Sequence, residues 1–121
     1  MFNLKVGGSF SSAHNLRGYK GKCEDLHGHN WRVEIAVKSN KLDNIGMVLD
    51  FKYLKNKLNA VLDKMDHKYL NKLSSFKKAN PTSENIAKYI YGQLKSQIPL
   101  LSCVTVWENS TSAATYEPST F

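Results

Sequence analysis

The sequence predicts a single α+β domain, in which a four-stranded antiparallel sheet carries two helices on one face in the order β-β-α-α-β-β. Three observations support this. Apolar side chains alternate near the N-terminus, recur at helical spacing in the middle of the chain, and alternate again near its end. At 121 residues, 41% hydrophobic and 22% charged, the chain is long enough for one modest core. No repeat or boundary is visible in the sequence, so we expect one domain over residues 1–121.

Two strands are expected first. Residues 1–11 begin with alternating apolar and polar side chains, and Gly7 and Gly8 are expected to bend or bulge this strand. Residues 31–39 alternate cleanly, which is typical of a strand with one face in the core. Residues 40–47 form the connection that follows.

Two helices come next. Asp50 is a suitable N-cap for a helix over residues 51–64, whose apolar residues recur at helical spacing. A second helix is expected to start with Thr82 or Ser83 as its cap, and Pro99 marks its end.

The C-terminal part predicts a hairpin. Residues 101–107 are rich in β-branched and apolar side chains and predict a strand. Residues 108–110 are expected to turn the chain into a last strand around residues 113–116.

The strongest functional signal is a short segment with two histidines and a cysteine. His27 and His29 are two residues apart, so both side chains leave an extended segment on the same side and can bind one ion. A third imidazole, His14, lies near the end of the first strand. Three neutral imidazoles with an open fourth position are typical of catalytic zinc sites, whereas structural zinc usually has four protein ligands. Cys23 fits either case, as a reactive thiolate or as a fourth ligand.

The net charge of +7 favours an anionic partner. The lysines are spread along the chain and only Lys77 and Lys78 are adjacent, so we expect a phosphorylated small molecule and not nucleic acid. The loop over residues 15–24 is basic, through Arg17, Lys20 and Lys22, and either holds a phosphate chain or is a plain surface loop.

No apolar run reaches the roughly 18 residues that span a bilayer, so no membrane partner is expected. The N-terminus lacks the apolar core of a signal peptide. Two cysteines fit a reducing compartment. We therefore expect a cytoplasmic protein.

Five segments of the chain are residues 10–14, 23–30, 66–67 and 81–85, and Glu108. Taken together and in this order along the sequence, they resemble the 6-pyruvoyl-tetrahydropterin synthase family. Three residues separate the cysteine from the His-Gly-His motif. This short spacing is similar to the bacterial branch of 6-carboxytetrahydropterin synthases, which act in the queuosine (7-deazaguanine) pathway. The resemblance implies a tunnelling fold, in which the sheets of several subunits close into a barrel. It also implies a homohexamer of two trimers with active sites between subunits.

The resemblance further implies the metal and the acid–base groups. Zn²⁺ would be held by His14, His27 and His29. Cys23 would be the general base, and Asp66 with His67 would form a proton relay on the other face of the substrate.

Pterin contacts follow from the resemblance as well. Glu108 would anchor the pterin, because a carboxylate can accept two parallel hydrogen bonds from its N–H and amino groups. Thr82, Ser83 and Glu84 match a segment that also contacts the pterin, and for these three the helix-capping role competes.

The implied reaction is a lyase step on 7,8-dihydroneopterin triphosphate, which loses triphosphate and acetaldehyde and leaves 6-carboxytetrahydropterin. One alternative is a pyruvoyl-tetrahydropterin synthase or an aldolase-like activity on the same scaffold. Another is a non-enzymatic, zinc-stabilised basic binding module.

Overall fold

The computed structural model describes residues 1–119 of the chain. Its strands and helices follow the predicted order: β1 Phe2–His14, β2 His27–Ser39, α1 Phe51–Met65, α2 Ser83–Leu94, β3 Leu101–Asn109 and β4 Ser112–Tyr116. The strands lie in the order β1-β2-β3-β4, and each pair of neighbours is antiparallel. The predicted α+β architecture is confirmed.

One face of the sheet and both helices enclose the core. Every second side chain of β2, from Trp31 to Val37, is at most 1% exposed. Helix α1 packs on β1, and α2 packs on β3 and β4. Each fully buried large aliphatic or aromatic side chain contributes about 1.5–3 kcal/mol to folding. The alternation that predicted β2 therefore marks the face that the helices cover.

The prediction of a bend or bulge at Gly7 and Gly8 is wrong. The β1–β2 register runs without interruption from Phe2 opposite Ser39 to His14 opposite His27. Gly8 instead allows α1 to approach, because a Cβ added there would lie 2.8 Å from Leu62 Cδ1. The sequence shows that a side chain is missing, and only the packing shows why.

Helix caps agree with the sequence. Asp50 accepts a hydrogen bond from the Lys52 backbone N–H at 2.8 Å, and Thr82 accepts one from the Asn85 N–H at 3.1 Å. Thr82, and not Ser83, is therefore the cap of α2. None of the described helices is long and apolar enough to cross a bilayer.

Three strand boundaries differ from the prediction in a way that matters for function. Strand β1 continues to His14, and β2 begins at His27, so the ladder ends on a pair of histidines. Strand β3 continues to Asn109, so Glu108 lies in a strand and not in the predicted turn. The register of β3 against β4 shifts between Trp107 and Asn109, an irregularity of the kind that re-aims a side chain.

Candidate functional site

Three histidines and one glutamate meet at one end of the sheet. His14 and His27 are cross-strand partners, and their Nε2 atoms are 3.1 Å apart. Strand β3 brings Glu108, whose Oε1 lies 3.0 Å from His29 Nε2 and 3.4 Å from His14 Nε2. One potential ligand atom from each of the four residues lies within 4.8 Å of those of the others. The three predicted zinc ligands are thus brought together.

Backbone carbonyls orient two of the rings. His14 Nδ1 donates to the Pro81 carbonyl and His27 Nδ1 donates to the Asp25 carbonyl, each at 2.8 Å. A carbonyl can only accept, so both Nδ1 atoms carry a proton and both Nε2 lone pairs face each other when the rings are neutral. Carbonyls behind ligating histidines are a common outer-shell arrangement in metal sites.

These details fit a bound cation. Two lone pairs 3.1 Å apart repel one another, and an ion between them removes that repulsion. His29 Nε2 is buried and makes no hydrogen bond of good geometry with any residue in 1–119, although Glu108 is close. Burial lowers the pKa of His29 below its ordinary value, while the Glu108 charge opposes this shift. The ring therefore stays neutral, which is the form that binds a metal.

Trp31 forms an apolar wall behind the cluster. Trp31 is fully buried, and its ring stands edge-on to the rings of His14 and His29. The distance between ring centroids is 4.9 Å for His14 and 5.2 Å for His29. Its Nε1–H donates to the Ser12 carbonyl at 3.2 Å. Sequence reasoning did not give Trp31 a place at the site. Its position two residues after His29, on the same side of β2, is a signal that could have found it.

Asp66 and His67 form a dyad at the edge of β1. Asp66 Oδ1 accepts from the Ser11 N–H at 2.8 Å, and Asp66 Oδ2 lies 2.9 Å from His67 Nδ1. The Ser11 hydrogen bond lowers the pKa of Asp66, so this carboxylate is ionised at neutral pH. The His67 side chain is 83% exposed, and within residues 1–119 no hydrogen bond or ion pair joins the dyad to the histidine cluster.

Cys23 is exposed and lies in the loop between β1 and β2. Within residues 1–119, the side chain that joins the three histidines as a potential ligand is Glu108 and not Cys23. The structure therefore favours a free thiol over a fourth ligand. Sequence reasoning placed Glu108 at the pterin and did not connect it with the histidines, because it put this residue in a turn.

The segment before α2 touches the cluster through its backbone. Pro81, whose carbonyl holds His14, directly precedes Thr82, Ser83 and Glu84 at the start of α2. The Thr82 side chain is engaged as the helix cap. The predicted pterin contacts of these three residues stay predictions.

Arg17 is less available to a phosphate chain than its charge suggested. Its guanidinium donates to the carbonyls of Phe76 and Ala79. Lys20 and Lys22 are exposed at the tip of the same loop.

A family model described as 6-pyruvoyl tetrahydropterin synthase matches residues 3–119. The chain belongs to this family. It is 42% identical over 114 residues to the 6-carboxy-5,6,7,8-tetrahydropterin synthase of Synechocystis sp., covering 89% of this chain and 87% of that protein. It is 35% identical to the protein of the same name from Haemophilus influenzae, covering 97% of this chain and 99% of that one.

The fold also matches a solved member of the family. The structure of 6-pyruvoyl tetrahydropterin synthase from Caenorhabditis elegans superposes with a TM-score of 0.86 at 32% identity, covering 98% of this chain and 96% of that one. The predicted family resemblance and the tunnelling-fold subunit are both confirmed.

Proposed function

We propose that this chain is a zinc-dependent 6-carboxy-5,6,7,8-tetrahydropterin synthase. It would convert 7,8-dihydroneopterin triphosphate to 6-carboxytetrahydropterin, acetaldehyde and triphosphate in queuosine biosynthesis. The observation that supports this most is the cluster of His14, His27, His29 and Glu108, in a chain whose relatives carry that enzyme's name.

His14, His27 and His29 are the proposed metal ligands, through their Nε2 atoms. Bound Zn²⁺ would supply Lewis acidity to the oxygens of the substrate side chain and so acidify the neighbouring C–H and O–H groups. Trp31 shields one side of the cluster, since its ring packs against two of the histidines.

Proton transfer is assigned to side chains outside the cluster. Cys23, as its thiolate, takes a proton from the substrate side chain as general base, and its exposure leaves the sulfur accessible. The Asp66 carboxylate accepts from His67 Nδ1, so it orients this imidazole and stabilises its protonated form. His67 then returns or removes protons on the opposite face of the substrate.

Substrate recognition follows from charge and hydrogen bonding. Glu108 anchors the pterin through its carboxylate, and Thr82, Ser83 and Glu84 lie next to Pro81 at the same end of the sheet. Triphosphate is a highly charged anion, which agrees with the net charge of +7. Lys20 and Lys22 are the candidates in the Cys23 loop because their side chains are exposed.

We place the complete site between subunits of a homohexamer, a dimer of trimers in the cytoplasm. The exposed dyad supports a shared site, because His67 is not among the described residues whose potential ligand atoms form the cluster of its own chain. The sheet also ends in two edge strands, β1 and β4, which association would cover. The exposed side chains Phe2, Leu42 and Phe51 add apolar surface near the start of β1.

Release of triphosphate from dihydroneopterin triphosphate tests the activity. Zinc-loaded protein should release it, and the His29→Ala variant should not. Mixed subunits test the shared site: Cys23→Ala and His67→Ala proteins are each expected to be inactive alone and to regain activity when unfolded and refolded together. No activity in the mixture would contradict a site shared between subunits.

A further inference from the structure

The loop between β1 and β2 is held at its base by two asparagine side chains. Asn71 Oδ1 accepts from the Asn15 N–H at 3.1 Å, and Asn71 Nδ2 donates to the Asn15 carbonyl at 2.8 Å. Asn80 makes the same pair of bonds with the Arg17 N–H and carbonyl, both at 2.9 Å. A carboxamide offers the same donor and acceptor as a peptide group. Each asparagine therefore bonds the loop as a neighbouring strand would.

Glu24 closes the loop from its other end. Its N–H donates to the Leu16 carbonyl at 2.9 Å, and its Oε1 accepts from the Leu16 N–H at 3.2 Å. The Glu24 carbonyl accepts from Asn15 Nδ2 at 3.1 Å. Cys23 therefore directly precedes Glu24, a residue that makes three hydrogen bonds to the base of the loop.

The tip of the loop contrasts with this base. Residues 18–22 are exposed, and Gly18, Lys20 and Gly21 all have positive φ. The backbone bonds in the tip are local ones, from Gly21 to Gly18 and from Lys22 to Tyr19. Among residues 1–119, the hydrogen bonds that tie this loop to other elements therefore lie at its base and not at its tip.

The clamp has features of a built structure. Asn71 is only 7% exposed, and burying an amide costs free energy unless it is hydrogen bonded. Its side-chain oxygen and nitrogen both bond to the backbone of Asn15. Asn80 directly precedes Pro81, whose carbonyl holds His14. The loop is thus tied to the framework that orients a proposed metal ligand.

We propose that Asn71 and Asn80 are positioning residues, which together with Glu24 fix the loop so that the Cys23 thiol keeps a set place relative to His14. This inference rests on the proposed role of Cys23 as general base. It extends that role, because it places part of the control of proton transfer in side chains remote from the substrate.

The test compares Asn80→Ala with the matched control Asn56→Ala, since Asn56 is exposed on α1. Amide hydrogen exchange is measured at Glu24, whose own acceptor, the Leu16 carbonyl, is unchanged in the variant. Loss of two neutral hydrogen bonds is expected to speed this exchange about tenfold in Asn80→Ala and not in Asn56→Ala. Exchange at the control rate would overturn the clamp.

Turnover separates positioning from simple stability. In Asn80→Ala, kcat for dihydroneopterin triphosphate is expected to fall about tenfold with little change in KM. The zinc content should stay close to that of Asn56→Ala, and the thermal midpoint should fall by no more than the several degrees that loss of two neutral hydrogen bonds implies. Faster exchange with an unchanged kcat would overturn the positioning role.

Asn71 provides a second variant. Asn71→Asp keeps the acceptor and the side-chain volume but loses the donor to the Asn15 carbonyl. It is expected to show the same direction of change in the exchange at Glu24, and an exchange rate equal to wild type would contradict its part in the clamp. Hydrogen exchange is measured without substrate. It therefore tests whether the asparagines hold the loop even if the wild-type protein shows no turnover and the proposed enzyme activity is refuted.

Discussion

Removing the metal should leave the protein folded. The hydrophobic core is formed by side chains of the sheet and both helices, and the cluster lies at one end of the sheet. Hydrogen bonds to Pro81 and Asp25 hold two of the three rings without an ion. A structural zinc site would contribute about 10–16 kcal/mol, and its loss would unfold the chain. Zinc bound at a catalytic site in a preformed fold raises the free energy of unfolding only through its binding to the native state. This amounts to about 2.7 kcal/mol at a free zinc concentration one hundred times Kd.

That magnitude converts to a shift in melting temperature. For a chain of 121 residues, 1 kcal/mol corresponds to roughly 3–6 °C, so saturating zinc should raise the midpoint by about 10 °C. Circular dichroism of EDTA-treated protein, with and without added Zn²⁺, measures this shift. The apo protein should still unfold cooperatively, well above room temperature.

Two histidine variants control the experiment. His29→Ala is expected to abolish the zinc-dependent shift, since His29 Nε2 lies within the cluster. His67→Ala should keep the full shift, because the His67 side chain is 83% exposed at the edge of β1. An apo protein that is unfolded at room temperature would refute the reasoning and favour a zinc-stabilised binding module.

Three further predictions concern single groups. Cys23→Ala should retain zinc and melting temperature but lose turnover, whereas Cys103→Ala should keep activity; substantial turnover in Cys23→Ala would exclude it as the base. Glu108→Gln should weaken pterin binding about tenfold or more, since a charge-assisted hydrogen bond is lost; fluorescence titration measures this, with Glu34→Gln as the control, and equal affinities would remove Glu108 from the pterin. The pKa of His29 is lowered by burial from its ordinary 6.5, so the unfolded chain takes up a proton that the native one excludes. Metal-free protein should therefore lose stability as the pH falls below about 6.5, and His29→Gln should flatten that part of the curve measured by urea unfolding; an identical curve would contradict the assignment.

Short sequence patterns were sufficient to predict the strands, the helices and the helix caps. The alternation of residues 31–39 marks the buried face of β2 because side chains in a strand alternate between its faces. Asp50 and Thr82 cap their helices as the sequence predicts, because capping depends on a side chain and its next few residues. The His-x-His spacing predicted two ligands on one side of β2 for the same geometric reason.

Features that depend on tertiary contacts were not predictable in this way. In the sequence, Gly8 predicts a bulge. The structure shows instead that Leu62 packs so close to Gly8 that a side chain there would not fit. Glu108 reaches the histidines because β3 continues past Trp107 with a shifted register. Arg17 looked like a phosphate ligand, but carbonyls far along the chain occupy its guanidinium. Each case depends on a contact with a residue distant in the sequence, which a local sequence pattern does not identify.

The most direct measurement is the mass of the product that zinc-loaded protein forms from 7,8-dihydroneopterin triphosphate, with Cys23→Ala as the matched control. We expect 6-carboxytetrahydropterin together with acetaldehyde from the wild-type protein and neither from the variant. A 6-pyruvoyl product would keep the site and contradict the proposed reaction. No consumption of substrate by folded, zinc-loaded protein would contradict the enzyme itself.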